Sequence, residues 1–285
     1  MTAEEALKAG DPDAALADLT ARVRRAPADP RLRVFLFQLL AVLGQWERAL
    51  AQLNVAGELD AGSLGMVNTY RDALRCEALR EAVFTGAREP LLMGEPADWM
   101  AWLLQALKLD AQGAPEQAQG LRERALEAAP ATPGRIDGTD FAWIGDADTR
   151  LGPMLEAIIQ GRYFWVPFHL IRALQLEAPS DLRDLVWAPA YLTWANGGET
   201  VALLPARYPG TTASSDGRLR LARLTDWVER DAGLFTGLGQ RLLVTDVDEY
   251  PLLGIRALEL TVPAAEAAAA ATSGEAADTD NPIDP

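Results

Sequence analysis

Over the first 133 residues apolar side chains recur at helical spacing. Leu32, Phe35, Leu36, Leu39, Leu40 and Leu43 fall on one broad face, and Trp46, Ala49, Leu50 and Leu53 on another. After about residue 134 the pattern shortens into strand-like runs at 163–166, 174–176, 185–194, 200–204, 219–224, 240–244 and 255–260. They are rich in Val, Leu, Ile and aromatics and are punctuated by Gly, Pro, Asn or Asp. Asn196-Gly197-Gly198 predicts a hairpin turn between Trp194 and Thr200. Leu151 to Gln160 predicts a short helix, with Pro153 near its start and Gly161 at its end. No long helices alternate with the strands, so a mostly antiparallel, strongly bent sheet or small barrel is expected. The fold class is α+β: a helical module over 1–133, a compact β-rich module over 134–262, and an acidic, Ala-rich tail over 263–285 expected to be disordered.

The helical module repeats. Gly10, Ala15 and Leu19 return 34 residues later as Gly44, Ala49 and Leu53, and Pro27 follows the first set. Gly113, Ala118, Ala125, Leu126 and Pro130 give a third copy. This period and these residue types match the tetratricopeptide pattern. Gly ends the first helix of each pair, Ala lets the second approach closely, and Pro stops it. The interval between copies is degenerate. Residues 54–65, with Gly57, Gly62 and Gly65, look like a loop, 66–84 like a long helix, and 89–96 like a second loop; Trp99, Leu103, Ala106 and Leu107 open the last repeat. About three repeats is near the minimum for a stable solenoid, so this half should lean on its neighbour. Such repeats offer a groove that receives a peptide or partner helix, and its second-repeat positions would be Arg31, Val34, Gln38 and Ala41. The plainer alternative is that the helices only pack on the C-terminal half and on a homodimer mate.

Composition narrows the partners. A net charge of −15 and an isoelectric point near 4.5 argue against nucleic acid. Cys76 is the only cysteine, which precludes an internal disulfide and suits a reducing compartment. The start lacks a secretory signal pattern, and the most apolar run, 34–43, is interrupted by Gln38 and falls far short of the roughly 20 residues that span a bilayer. A soluble, cytoplasmic protein with no membrane partner is the expectation. Five of the eight tryptophans, Trp143, Trp165, Trp187, Trp194 and Trp227, lie in the β-rich half. They suit a small core, or else one or two lie exposed and anchor a partner; Trp143 and Trp165 are the candidates.

Candidate chemistry is sparse. The sole histidine, His169, has no nucleophile indicated beside it. Asp137, Asp140, Asp146 and Asp148 could supply oxygen ligands, but their spacing matches no metal loop. Capping and turn duty suits them better, with Asp140 before Phe141 and Asp148 before the helix expected at 151 as the capping candidates. No phosphate-binding glycine motif is present, and zinc spacing is impossible with one Cys and one His. The expectation is a protein without catalysis, cofactor or metal; the enzyme alternative is a metal-dependent site around Asp146, Asp148, Arg150 and Glu156.

Several longer motifs occur in order: Ala131-Thr-Pro-Gly-Arg-Ile-Asp-Gly138, Phe141-x-Trp-Ile-x-Asp-x-Asp148, Arg150-Leu-Gly-Pro153, Gly161-Arg-Tyr-Phe-Trp-Val-Pro-Phe168, Asp181-Leu-Arg-Asp-Leu-Val-Trp187 and Thr193-Trp-Ala-Asn-Gly-Gly-Glu199. Together they resemble the ImpE family, also called TagJ, over roughly residues 2–262. The resemblance implies an accessory component of the bacterial type VI secretion system, a virulence machine. It implies association with the contractile sheath through its small subunit TssB and with the AAA+ ATPase ClpV. It carries no catalytic residues over. An adaptor that grips a sheath helix and tethers sheath to ATPase is the reading it favours. A generic tetratricopeptide scaffold or an effector-handling chaperone is the alternative.

Overall fold

The protein, seen in a computed structural model, is described over residues 1–262; the expectation for 263–285 lies outside the described residues. Seven helices build the first half: α1 (Ala3–Lys8), α2 (Pro12–Arg25), α3 (Pro30–Val42), α4 (Trp46–Leu59), α5 (Leu64–Phe84), α6 (Asp98–Ala111) and α7 (Pro115–Ala128). Proline opens α2, α3 and α7, where its missing N–H costs nothing, and the Asp11 and Asp29 side chains cap the first two. Gly10, Gly44 and Gly113 turn between paired helices at φ of +83°, +69° and +74°. Ala15, Ala49 and Ala118 are fully buried, as the repeat requires.

The interval 54–65 is not a loop. α4 continues to Leu59, a 3-10 turn covers Ala61–Ser63, and α5 begins at Leu64. Gly57 sits inside α4 because α5 crosses it closely; a Cβ there would meet a Val67 methyl at 3.0 Å. The second loop holds a two-residue strand, β1 (Leu91–Leu92).

The β-rich half runs β2 (Gly134–Ile136), β3 (Thr139–Phe141), β4 (Ile144–Asp146), β5 (Met154–Ile159), β6 (Arg162–Pro167), β7 (Ile171–Leu176), β8 (Trp187–Trp194) and β9 (Glu199–Pro205). After a one-turn helix, α8 (Gly217–Arg220), come β10 (Thr225–Glu229), β11 (Phe235–Gly239), β12 (Leu242–Thr245), β13 (Glu249–Pro251) and β14 (Ala257–Leu260). Nine strands form one sheet in the order β1-β6-β5-β9-β8-β7-β14-β2-β3; β13-β12-β4 form a second, and β10-β11 a ribbon. Every pairing is antiparallel except β1 with β6. The Asn196-Gly197-Gly198 turn joins β8 to β9 as predicted.

Two expectations fail here. The helix predicted over 151–160 is strand β5. All six of its residues are buried, so both faces meet apolar neighbours and the alternation that marks a half-exposed strand is missing. Gln160 and Gly161, both at positive φ, make the two-residue hairpin turn into β6. The strand predicted over 219–224 is instead the end of α8 and a turn. Asp216 caps α8, and Leu219 and Leu221 point into the core.

The sheet has two buried faces. Leu155, Ala157, Val166, Phe168, Leu174, Leu204, Leu243 and Leu258 pack in one core on one side of it. Met154, Ile158, Tyr163, Trp165, Trp187 and Leu203 face the other way and share one core with Phe37, Leu40, Tyr70, Leu74 and Val83 of the helices. The helical half therefore does lean on its neighbour, through a continuous apolar core.

Candidate partner cleft and the charge network at the joint

Beneath that shared core runs a chain of buried charges. Glu77 and Arg80, about one turn apart on α5, point at the sheet. Arg80 donates from Nε to Glu156 Oε1 (2.6 Å) and from Nη2 to Glu156 Oε2 (3.0 Å) and to the Arg207 carbonyl (2.7 Å). Trp187 Nε1 donates to Glu77 at 2.8 Å. Arg241 donates to both Asp146 and Glu156, Tyr163 OH donates to Glu156, and Trp165 Nε1 donates to Tyr163 OH at 2.7 Å. Burial by itself would raise the Glu156 pKa, but Arg80 and Arg241 outweigh it and hold the carboxyl at about 2. Asp146 has one guanidinium instead of two and Asp148 as a neighbour, so burial wins and lifts it to about 6.

The four aspartates of the acidic cluster are not brought together as a ligand set. Asp137 holds a turn at φ +46° and accepts from the Arg256 and Ala257 amides. Asp140 lies exposed on β3, paired with Arg135 at 2.6 Å. Asp148 is buried, accepting from Arg150 Nε (2.8 Å), the Arg150 amide (3.1 Å) and the Gly237 amide (3.1 Å). Neither Asp140 nor Asp148 caps a helix, because no helix follows either one. Among the described residues no group of three or more His, Cys, Asp or Glu could hold a metal ion. His169 lies in a 3-10 turn, edge-on to Trp99 with ring centroids 6.2 Å apart.

The proposed groove residues separate into two sets. Arg31, Val34 and Gln38 line a cleft of about 680 Å³ together with Pro30 and Phe35 of α3, Asp60 and Ser63 of the turn before α5, and Ser180, Asp181 and Leu182 from the β-rich half. Ala41 is fully buried, and its carbonyl accepts from Arg207 at 3.4 Å. Gln38 marks the border, because its Oε1 accepts from the Leu182 amide at 3.2 Å. The C-terminal part of the expected groove is thus filled by the chain's own 3-10 turn, Leu182–Leu185, with Arg183 stacked 4.9 Å from the Tyr70 ring centre. Trp165 is wholly buried against Phe84 (5.8 Å) and is not displayed to a partner. Trp143 is 41 % exposed and, with the exposed Leu126 of α7, borders a separate cavity of about 370 Å³.

Sequence reasoning missed Asp181 and Leu182 as cleft residues. A signal was present: Asp181 and Asp184 form a reciprocal capping box, with Asp184 accepting from the Asp181 amide at 2.8 Å. Capping spacing announces a helical turn but not where that turn docks.

Among the described residues no helix is long and apolar enough to cross a membrane. Comparison with known proteins agrees with the geometry. Residues 6–64 match the family model of the tetratricopeptide repeat, and residues 138–259 that of the ImpE protein. A Pseudomonas aeruginosa protein described as type VI secretion system accessory component TagJ is 58 % identical over 259 residues, 91 % of each chain. The crystal structure of a Vibrio parahaemolyticus protein superposes with a TM-score of 0.84 at 25 % identity, covering 93 % of this chain and 99 % of that one.

Proposed function

Because the chain belongs to the ImpE family, we propose that it is a non-catalytic accessory adaptor of a bacterial type VI secretion system. In this reading it grips a helix of a TssB-like sheath subunit and links the contractile sheath to a ClpV-type ATPase. The observation that carries it is the open cleft beside Arg31 and Val34, the part of the repeat groove that the β-rich half leaves uncovered. A helix suits that cleft because side chains spaced i, i+3 and i+4 reach along one ridge of α3. A tether needs two faces, and the exposed Trp143 and Leu126 offer the second. Linking sheath to ATPase acts by raising their effective concentration. What supports the non-catalytic reading is how the buried carboxylates are employed: Asp146, Asp148 and Glu156 are each paired with an arginine.

The test is a titration of the full chain against the purified sheath small subunit, followed by co-precipitation with the ATPase. Binding near micromolar that weakens at least tenfold (about 1.4 kcal/mol) in Val34→Asp is the expected outcome. Absence of binding at low and moderate salt would sink the sheath reading.

A further inference from the structure

We propose that the α3 cleft selects a helix carrying an apolar side chain and, one turn away, a carboxylate; this rests on the cleft being the partner's seat. The cleft has an apolar floor, made by the half-buried Val34, Phe35 and Leu182. Arg31 stands one turn before Val34 on the same face of α3. Its guanidinium makes no ion pair or hydrogen bond among the described residues.

Of the two carboxylates on the rim, Asp181 is ion-paired with Arg183 at 2.6 Å, whereas Asp60 accepts from the Gly62 amide and the Ser63 hydroxyl, both at 3.0 Å, and keeps its charge. Arg31 is therefore the cation of the rim that has no carboxylate partner among the described residues. A carboxylate placed there gains an unopposed guanidinium, whereas an ammonium meets repulsion. The net charge of −15 pulls the other way at long range. That field is screened beyond about 8 Å at physiological salt, so it steers approach but does not set the contact preference. Leu182 comes from the β-rich half and Val34 from the helical half, so the floor is complete only when the two halves are docked.

The experiment uses the full chain and two fluorescent, helix-stapled peptides of about 15 residues, long enough to hold a helix. Each carries a Leu pair spaced i, i+4; they differ only in a Glu or a Lys one turn before the first Leu. The Glu peptide should bind wild type about fivefold more tightly than the Lys peptide at low ionic strength. The order should invert on Arg31→Glu, survive in Arg31→Lys, and shrink as salt is added. Equal binding, preference for Lys, or no binding of either peptide overturns the proposal. The sheath small subunit is titrated in parallel. If the peptides behave as stated and the subunit does not bind, the sheath reading fails and the selectivity stands. If the subunit binds but the peptides show no preference, the selectivity alone fails.

Discussion

The two ends of α3 belong to one repeat helix and meet opposite fates. At its N-terminal end Arg31 and Val34 border open space; at its C-terminal end Gln38 and Ala41 are covered by the β-rich half. The cover is built from three directions. The 3-10 turn Leu182–Leu185 lies against the helix, and Arg207 donates to the Val42 carbonyl at 2.8 Å and so caps the helix end. Thr212 presses against the Gly44 turn. Helix-end carbonyls have no partner within the helix, and here a distant arginine satisfies them. A repeat groove is thus a property of the helices only until another part of the chain claims it.

The strongest way to break this comparison is to undo the docking itself. Arg80→Ala removes the guanidinium that reaches from α5 to Glu156 and leaves a buried carboxylate short of a partner. A loss of about 3–5 kcal/mol is expected in chemical denaturation. The same network makes stability acid-sensitive. Glu156 has a folded pKa of about 2, below its unfolded value near 4.5, so its contribution is present above pH 4.5 and is lost as pH falls toward 2. Asp146 has the opposite sign. Its folded pKa of about 6 lies above the unfolded value, so protonation between pH 6 and 4 favours the folded state. Asp146→Asn should remove that second component from a stability–pH curve and leave the first.

A smaller effect compares equivalent glycines of two repeats. Gly44 and Gly113 have similar positive φ, but a Cβ at Gly44 would meet the Thr212 side chain at 2.6 Å, whereas at Gly113 nothing lies within 4 Å. Gly113→Ala should cost about 1 kcal/mol, the conformational penalty alone. Gly44→Ala should cost about 1–3 kcal/mol more, from the overpacked contact. Equal melting shifts for the two would mean that the Thr212 contact gives way freely.

The smallest effects separate the ends of α3. Gln38→Ala strips the Leu182 amide of its acceptor and should cost about 1–2 kcal/mol. Arg31→Ala should change stability by less than about 0.5 kcal/mol, since its exposed side chain has nothing to lose in the isolated protein. An Arg31→Ala protein as destabilised as Gln38→Ala would show that the open end is structural too.

Legibility differed between the halves for a physical reason. A helix pair announces itself locally, through Pro at its start, Gly in its turn and Ala where helices touch, all within 34 residues. The β-rich half was legible where strands were half-exposed or joined by tight turns, as at Asn196-Gly197-Gly198. The strand signal is missing at β5, whose six buried residues carry no alternation. The candidate cleft was half legible: Arg31, Val34 and Gln38 followed from repeat position, while Leu182 and Asp181 did not, since 144 residues separate Leu182 from Gln38.

By itself the sequence determined the repeat, the α+β division, the bulk of the strands and the family, because these depend on local periodicity and on motifs in order. Only the tertiary structure decided which groove positions stay free, that Trp165 is core while Trp143 is displayed, and that the acids at 146, 148 and 156 pair with arginines. Those outcomes depend on which surfaces two halves bury against each other, and burial, not residue type, sets whether a side chain meets a partner, a counter-charge or water.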